Sequence, residues 1–212
     1  MESTRTYLPA AGLDWLLPLY DSFVKLLGGD AARTALLEQA GIRSGQHVLE
    51  IGCGTGELTT VAKRLHSNVE VIGLDPDRKA LARAQRKASK NGVSIRYDQG
   101  FSDQLPYDDG SFDRVLSCFM FHHLAADEKS KTLREVRRVL QADGEFHMLD
   151  FGGPEGASHG FVSRLLHSHE RLQDNSESRV LSLMKQAGFA NAEAVGHRAM
   201  LFGNMTYYQA TI

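Results

Sequence analysis

From residue 47 onward, short apolar runs alternate with longer amphipathic stretches. "HVLEI" and "EVIGLD" are compact apolar runs of strand length, the pattern of strands covered on both faces. Between and after them, Gly56–His66 and "PDRKALARAQRKASKNG" read as helices. Asp75 is placed to cap the second of these, Pro76 suits its first position, and Asn91-Gly92 ends it. "VSIRYD", "FDRVLSCFM" and "EFHMLDF" predict the third, fourth and fifth strands. Asp127–Leu140 predicts a helix with Leu133, Val136 and Leu140 on one face, and "SRVLSLMKQAGF" a further helix stopped at Gly188. Two late strands are expected near "AEAVGH" and "MTYYQATI". Upstream, Tyr7–Gly29 is dense in large apolar residues and predicts one or two short helices interrupted at Pro18. A helix from Asp30 to Ala40 follows, with Asp30 as N-cap and Gly41 as terminator.

Strands separated by crossover-length helices must pair in parallel, which puts helices on both faces of one sheet. The expected architecture is therefore a doubly wound, Rossmann-like α/β fold. In such sheets ligands bind beyond the carboxyl ends of the strands, where the strand order reverses. The glycine loop after the first strand, the end of the second and the end of the fourth should all face that crevice.

Composition narrows the function classes. The 212 residues suit one domain, and a formal net charge of -2 gives no overall field for nucleic acid or an anionic membrane. Neither nucleic-acid binding nor membrane insertion is expected. The basic stretch "KALARAQRKASK" lacks the interleaved aromatics of a nucleic-acid surface and reads as a solvated helix face. Cys53 and Cys118 have no metal-type spacing and suit packing in a reducing compartment. With no cationic start followed by an apolar stretch, a cytoplasmic protein is expected, as a monomer or homodimer.

The chemistry concentrates in "VLEIGCGTGELT". The dinucleotide fingerprint G-x-G-x-x-G fits neither register: counting from Gly52 its third glycine falls on Glu57, and from Gly54 on Thr59. The pattern is instead E-x-G-x-G-x-G, from Glu50 to Gly56. A pyrophosphate would sit unfavourably near Glu50 and Glu57, whereas a ligand carrying an ammonium and a sulfonium has the opposite preference. The helix start can still receive a carboxylate. Asp75, ending "VIGLD", can accept both hydroxyls of a ribose with its two oxygens. A nucleoside with a charged amino-acid tail is S-adenosylmethionine.

"VLEIGCGTGELT", "VIGLDPD", "LPYDDGSFDRVLSCFMFHHL" and "LREVRRVLQADGEFHMLDF" together resemble the class I S-adenosylmethionine-dependent methyltransferases. Within them, the chain is most similar to the group holding the ubiquinone/menaquinone biosynthesis methyltransferases. The resemblance spans residues 40–151, with "LMKQAGF" and "TYYQA" fitting the last helix and strand. It implies a seven-stranded sheet of order 3-2-1-4-5-7-6 with the last strand antiparallel, and S-adenosylhomocysteine as product. It further implies that Glu50, Gly52, Cys53 and Gly54 line the methionine end, that Gly56 permits close packing, and that Asp75 binds the ribose with Pro76 near the adenine. Relatives usually carry an acid directly after the glycine of "QGFSDQLPY"; here Phe101 stands there. Phe101 could pack on the ring, the Ser102 N–H could bond it, and Asp103 could supply the acceptor. Ser117 and Cys118 are expected in the cofactor floor.

The expected organisation is a single domain, 1–212: a helical lid (1–40), a cofactor core (41–151), an insertion walling the acceptor pocket (152–175), and a last helix with C-terminal strands (176–212). Trp15, Tyr20, His122 and Phe161 are candidate acceptor contacts. His122 and His123 are candidate bases, with pocket shaping as the alternative. Asp150 suits packing or capping as well as catalysis. His159, His167 and His169 are not expected to form a metal site, since His167 and His169 would face different sides of a helix. Methyl transfer from a sulfonium chiefly requires alignment and desolvation, so no catalytic residue follows from the reaction class alone. The expected reaction is methylation of a small hydrophobic or aromatic acceptor. The alternatives are an RNA or protein methyltransferase, and a non-catalytic cofactor-binding partner subunit.

Overall fold

The computed structural model describes residues 29–153, 175–200 and 203–212. Helix α1 (Gly29–Ala40) precedes β1 (His47–Ile51), α2 (Glu57–Leu65), β2 (Glu70–Asp75), α3 (Arg78–Lys90), β3 (Arg96–Gln99) and β4 (Phe112–Cys118). A short 3-10 turn (Phe121–His123) leads to α4 (Ala126–Val139), β5 (Leu140–Phe151), α5 (Glu177–Gln186), β6 (Asn191–Met200) and β7 (Gly203–Thr211). These strands form one seven-stranded sheet of order β3-β2-β1-β4-β5-β7-β6. The first five pair in parallel, and β7 runs antiparallel to both neighbours. Order and direction are those implied by the resemblance.

The alternation along each strand explains the layers. Leu49 and Ile51 of β1 face a core with Leu133 and Val136 of α4 and Val180 and Leu183 of α5. Val48 faces the opposite core, with Leu36 and Leu37 of α1 and Leu58 of α2. Burial on both faces is what makes the central strands read as unbroken apolar runs. The chain steps outward from β1 to β3, then returns to place β4 against the other side of β1. That reversal puts the loop after β1 beside the turn after β4.

Several local expectations are corrected. Asp75 does not cap α3: Asp77 is the N-cap, its carboxylate accepting from Lys79 N at 2.7 Å. Pro76 therefore precedes the cap, where its ring favours the extended conformation of the residue before it. Asp30 lies inside α1 rather than at its cap. β3 starts at Arg96 rather than Val93, β4 ends at Cys118 rather than Met120, and β5 starts at Leu140.

Candidate functional site

The carboxyl ends of β1, β2 and β4 border a cavity of about 350 Å³. Gly52, Gly54, Asp75, Pro76, Phe101, Ser102 and His123 line it, together with Asp77, Gly100, Phe119, Met120 and Glu128 among others. Of the expected cofactor residues, Glu50, Cys53, Gly56, Ser117 and Cys118 lie outside this lining. Asp103 and His122 are also outside it. Trp15, Tyr20 and Phe161 lie outside the described residues, as do His159, His167 and His169. Among the described residues, no three His, Cys, Asp or Glu side chains converge as a metal site.

The loop after β1 takes its shape from glycine. Gly52 and Gly56 have φ of 67° and 74°, a region that side chains with a Cβ rarely adopt. A Cβ on Gly52 would lie 2.1 Å from Met120 Cγ; one on Gly56 would lie 2.6 Å from Tyr97 Oη and 2.7 Å from Ala84 Cβ. The first glycine admits the turn after β4, and the second lets α3 pack on the start of α2. Between them, Gly54 N donates to Asp75 Oδ2 at 2.8 Å, while Asp77 N donates to Oδ1 at 2.9 Å. Asp75 is thus fixed in the cleft wall, each oxygen keeping a further lone pair for a donor such as a ribose hydroxyl. Burial pushes its carboxyl up to about 6, against the two backbone N–H groups.

Beneath this loop two ionisable side chains are buried with unused hydrogen-bonding capacity among the described residues. Glu50 is only 3% exposed, and its Oε2 has no hydrogen-bond partner among the described residues. Burial raises its carboxyl to about 8, with Arg33 and the Thr59 backbone opposing. Arg33, on α1, also has a buried Nη1 without a hydrogen bond to any described residue; the Asp30 carboxylate is 3.6 Å away, too long for one. Its guanidinium lies over the Phe119 ring, 5.8 Å from the centroid. A buried carboxyl and a buried guanidinium, each with an atom that no described residue bonds, fit the ammonium and carboxylate of an amino-acid tail. Orphaned polar atoms of this kind are uncommon in folded proteins. Arg33 carries no motif, so sequence reading alone passes over it.

The turn after β4 opens on strain. Phe119 has φ 57°, an unusual conformation for a bulky residue, and its N–H donates to Leu149 O at 2.9 Å. This reversal folds Met120 over Gly52 and sends His123 to the cleft and His122 inward. His122 Nδ1 lies 2.6 Å from Asp150 Oδ1, a pairing between β5 and the 3-10 turn. Both thiols are unsuited to nucleophilic work: burial pushes Cys118 up to about 12 and Cys53 well above its ordinary value.

Residues 48–144 match the family described as "Methyltransferase domain". A demethylmenaquinone methyltransferase of Deinococcus radiodurans is 34% identical, over 73% of this chain and 64% of its own length. One of Thermus thermophilus is 33% identical, over 71% of this chain and 69% of its own. The solved YcgJ protein of Bacillus subtilis superposes with a TM-score of 0.67 at 27% identity, covering 80% of this chain and 72% of that one. The chain therefore belongs to the S-adenosylmethionine-dependent methyltransferase family. It spans about two thirds of the length of the curated relatives it matches, 64% and 69% for the two described.

Proposed function

We propose that this protein binds S-adenosylmethionine in the cleft beyond β1, β2 and β4 and transfers its methyl group to a small hydrophobic or aromatic acceptor. The observation that carries this reading is the coupling of Asp75 to Gly54: one carboxylate both shapes the glycine loop and stands in the cleft wall. When bound, the cofactor supplies an electrophilic methyl group on a sulfonium sulfur. The chain's part is to hold and orient. Asp75 accepts from the ribose hydroxyls, and Glu50 and Arg33 meet the two charges of the amino-acid tail. Leu74, Ala80 and Phe101 give the nucleoside end an apolar surround. The fixed Asp75 and the rigid loop supply alignment, which is the larger share of what this displacement needs.

The names of the two relatives support an aromatic, quinol-like acceptor. The organisation that goes with this reading is a cofactor core at 41–151 with acceptor-facing additions at 1–40 and 152–175. Among the described residues no helix is long and apolar enough to cross a membrane.

Titration calorimetry with S-adenosylmethionine and S-adenosylhomocysteine tests the binding half. Turnover of methyl-labelled cofactor against quinols, phenols and amines tests the transfer half. Micromolar binding with turnover of at least one aromatic acceptor is expected. Binding with no turnover across the panel would favour a cofactor-binding partner subunit, and no binding would end the reading.

A further inference from the structure

Resting on the methyltransferase reading, we propose that Glu128 of α4 accepts a hydrogen bond from the exocyclic amino group of the cofactor's adenine. It does so in place of an acid at position 101, where Phe101 stands.

The end of β2 fixes where the base lies. Asp75 stands in the cleft wall, and Pro76 and Asp77 continue that wall. The chain leaving β3 is tied to it: Gly100 N donates to Asp75 O at 3.2 Å, and Gln99 Nε2 donates to Pro76 O at 3.1 Å. Phe101 is thereby held beside Pro76. With Leu74 and Ala80, these two make this end of the cleft apolar. Such an end suits the faces of a purine. The purine's amino group still needs an acceptor, and a phenylalanine side chain offers none.

Helix α4 brings one in from the other side. Glu128, Thr132 and Glu135 stand at i, i+4 and i+7, on one face of that helix. This face lies along the loop after β3. Thr132 Oγ1 is 2.9 Å from Ser102 Oγ, and Glu135 Oε2 accepts from Leu105 N at 2.7 Å. Glu128, one turn nearer the helix start, is the member of this stripe that lines the cleft, as Phe101 and Ser102 do. Its Oε2 accepts from Ala125 N at 3.0 Å, which orients the side chain at the cleft end of α4. A carboxylate has about four acceptor sites, so this bond leaves the group able to meet an amino N–H.

The other acids at this end are placed for other work. Asp77 is buried, and its Oδ1 caps α3 through Lys79 N at 2.7 Å. Asp98 accepts from Arg96 Nε and from Tyr107 Oη, each at 3.0 Å. Asp103 lies outside the cleft lining. A charged acceptor discriminates sharply between a base that carries the amino group and one that does not, because the second leaves the carboxylate facing a C–H.

The test is calorimetry on the full-length protein with S-adenosylhomocysteine and with its analogue in which hydrogen replaces the adenine amino group. The analogue keeps every ring nitrogen, so the ratio of the two dissociation constants isolates the amino contact. The wild type is expected to prefer the amino ligand by at least about tenfold. In Glu128→Gln that preference should fall by at least about fivefold: the amide oxygen keeps the bond to Ala125 N, and its N–H₂ donor then faces the amino group. A wild-type preference below about tenfold overturns the proposal whether or not any variant folds. So does a smaller fall in folded Glu128→Gln. That is what a residue serving only to cap α4 would give, since a loosened helix weakens both ligands alike. Should Glu128→Gln not fold, Glu128→Asp, which keeps the charge but is one methylene too short, is judged by the same fall. If S-adenosylhomocysteine binds without the preference, only this inference fails; if neither ligand binds the wild type, the methyltransferase reading fails.

Discussion

Cofactor binding at pH 7 should expel close to one proton, and Glu50 is the source. Its carboxyl is raised to about 8 by burial, with Oε2 left without a partner among the described residues. A group of that pKa is about 0.9 protonated at pH 7. An ammonium placed beside it stabilises the ionised form, so the proton leaves as the ligand enters. Two smaller contributions nearly cancel. Asp75, raised to about 6, retains about 0.1 proton at pH 7 and releases it on meeting the ribose. A ligand α-amino group with pKa about 7.7–8.0 takes up about 0.1–0.2 proton to bind as the ammonium. The net release is about 0.8–0.9 proton per site. The assay is calorimetry with S-adenosylmethionine in phosphate and in Tris, whose ionisation enthalpies differ widely; the slope of observed enthalpy against ionisation enthalpy counts the protons. At pH 9 the sign should reverse, because Glu50 is then mostly ionised while the ligand amine must gain a proton. Glu50→Gln should abolish the release at pH 7. Measurable binding with a slope of zero in the wild type, or an equal slope in Glu50→Gln, would refute the assignment of Glu50 to the ammonium.

Three further outcomes are expected. Asp75→Asn should weaken cofactor binding ten- to a hundredfold in calorimetry, because an amide offers one acceptor oxygen where Gly54 N, Asp77 N and the ribose need two; an unchanged affinity would remove Asp75 from the site. Gly52→Ala should abolish binding and lower the melting temperature, since its Cβ would meet Met120 Cγ at 2.1 Å in a left-handed backbone; a crystal structure with the loop unmoved would contradict this. His147 is fully buried, its Nδ1 accepts from Gln39 Nε2 at 3.0 Å, and it is pushed down to about 4 by burial, with Glu145 opposing. A depressed histidine gives stability that is intact above the unfolded pKa near 6.5 and is lost as pH falls toward 4. Between pH 7 and 5 the wild type should therefore lose about 2 kcal/mol relative to His147→Gln in urea unfolding. A difference that does not change with pH would show that His147 titrates normally.

The strands and helices were legible because their periods are local: β1 and β2 begin and end where their apolar runs do. The strand order was not local, and it came through the resemblance rather than through the pattern. What escaped the sequence is what depends on contacts between distant segments. "DPD" offers two acids as the cap of α3. Only the fold reveals that Asp75 turns sideways to a glycine loop 21 residues earlier, leaving Asp77 to the helix. Arg33 resembles any polar residue of an amphipathic helix until α1 is packed against β5 and α2. Phe119 gives no sign of its positive φ, because a phenylalanine is among the last residues one would choose there. That strain places His122 on Asp150, 28 residues later, and His123 at the cleft. The same logic holds for Glu50. The motif predicts an acid at the end of the strand, but only its burial in the fold turns it into a group that is mostly neutral at pH 7 and that, on the proposed reading, gives up its proton as the cofactor's ammonium enters. A site built this way couples ligand charge to protonation, so its affinity depends on pH through groups whose pKa values no motif encodes.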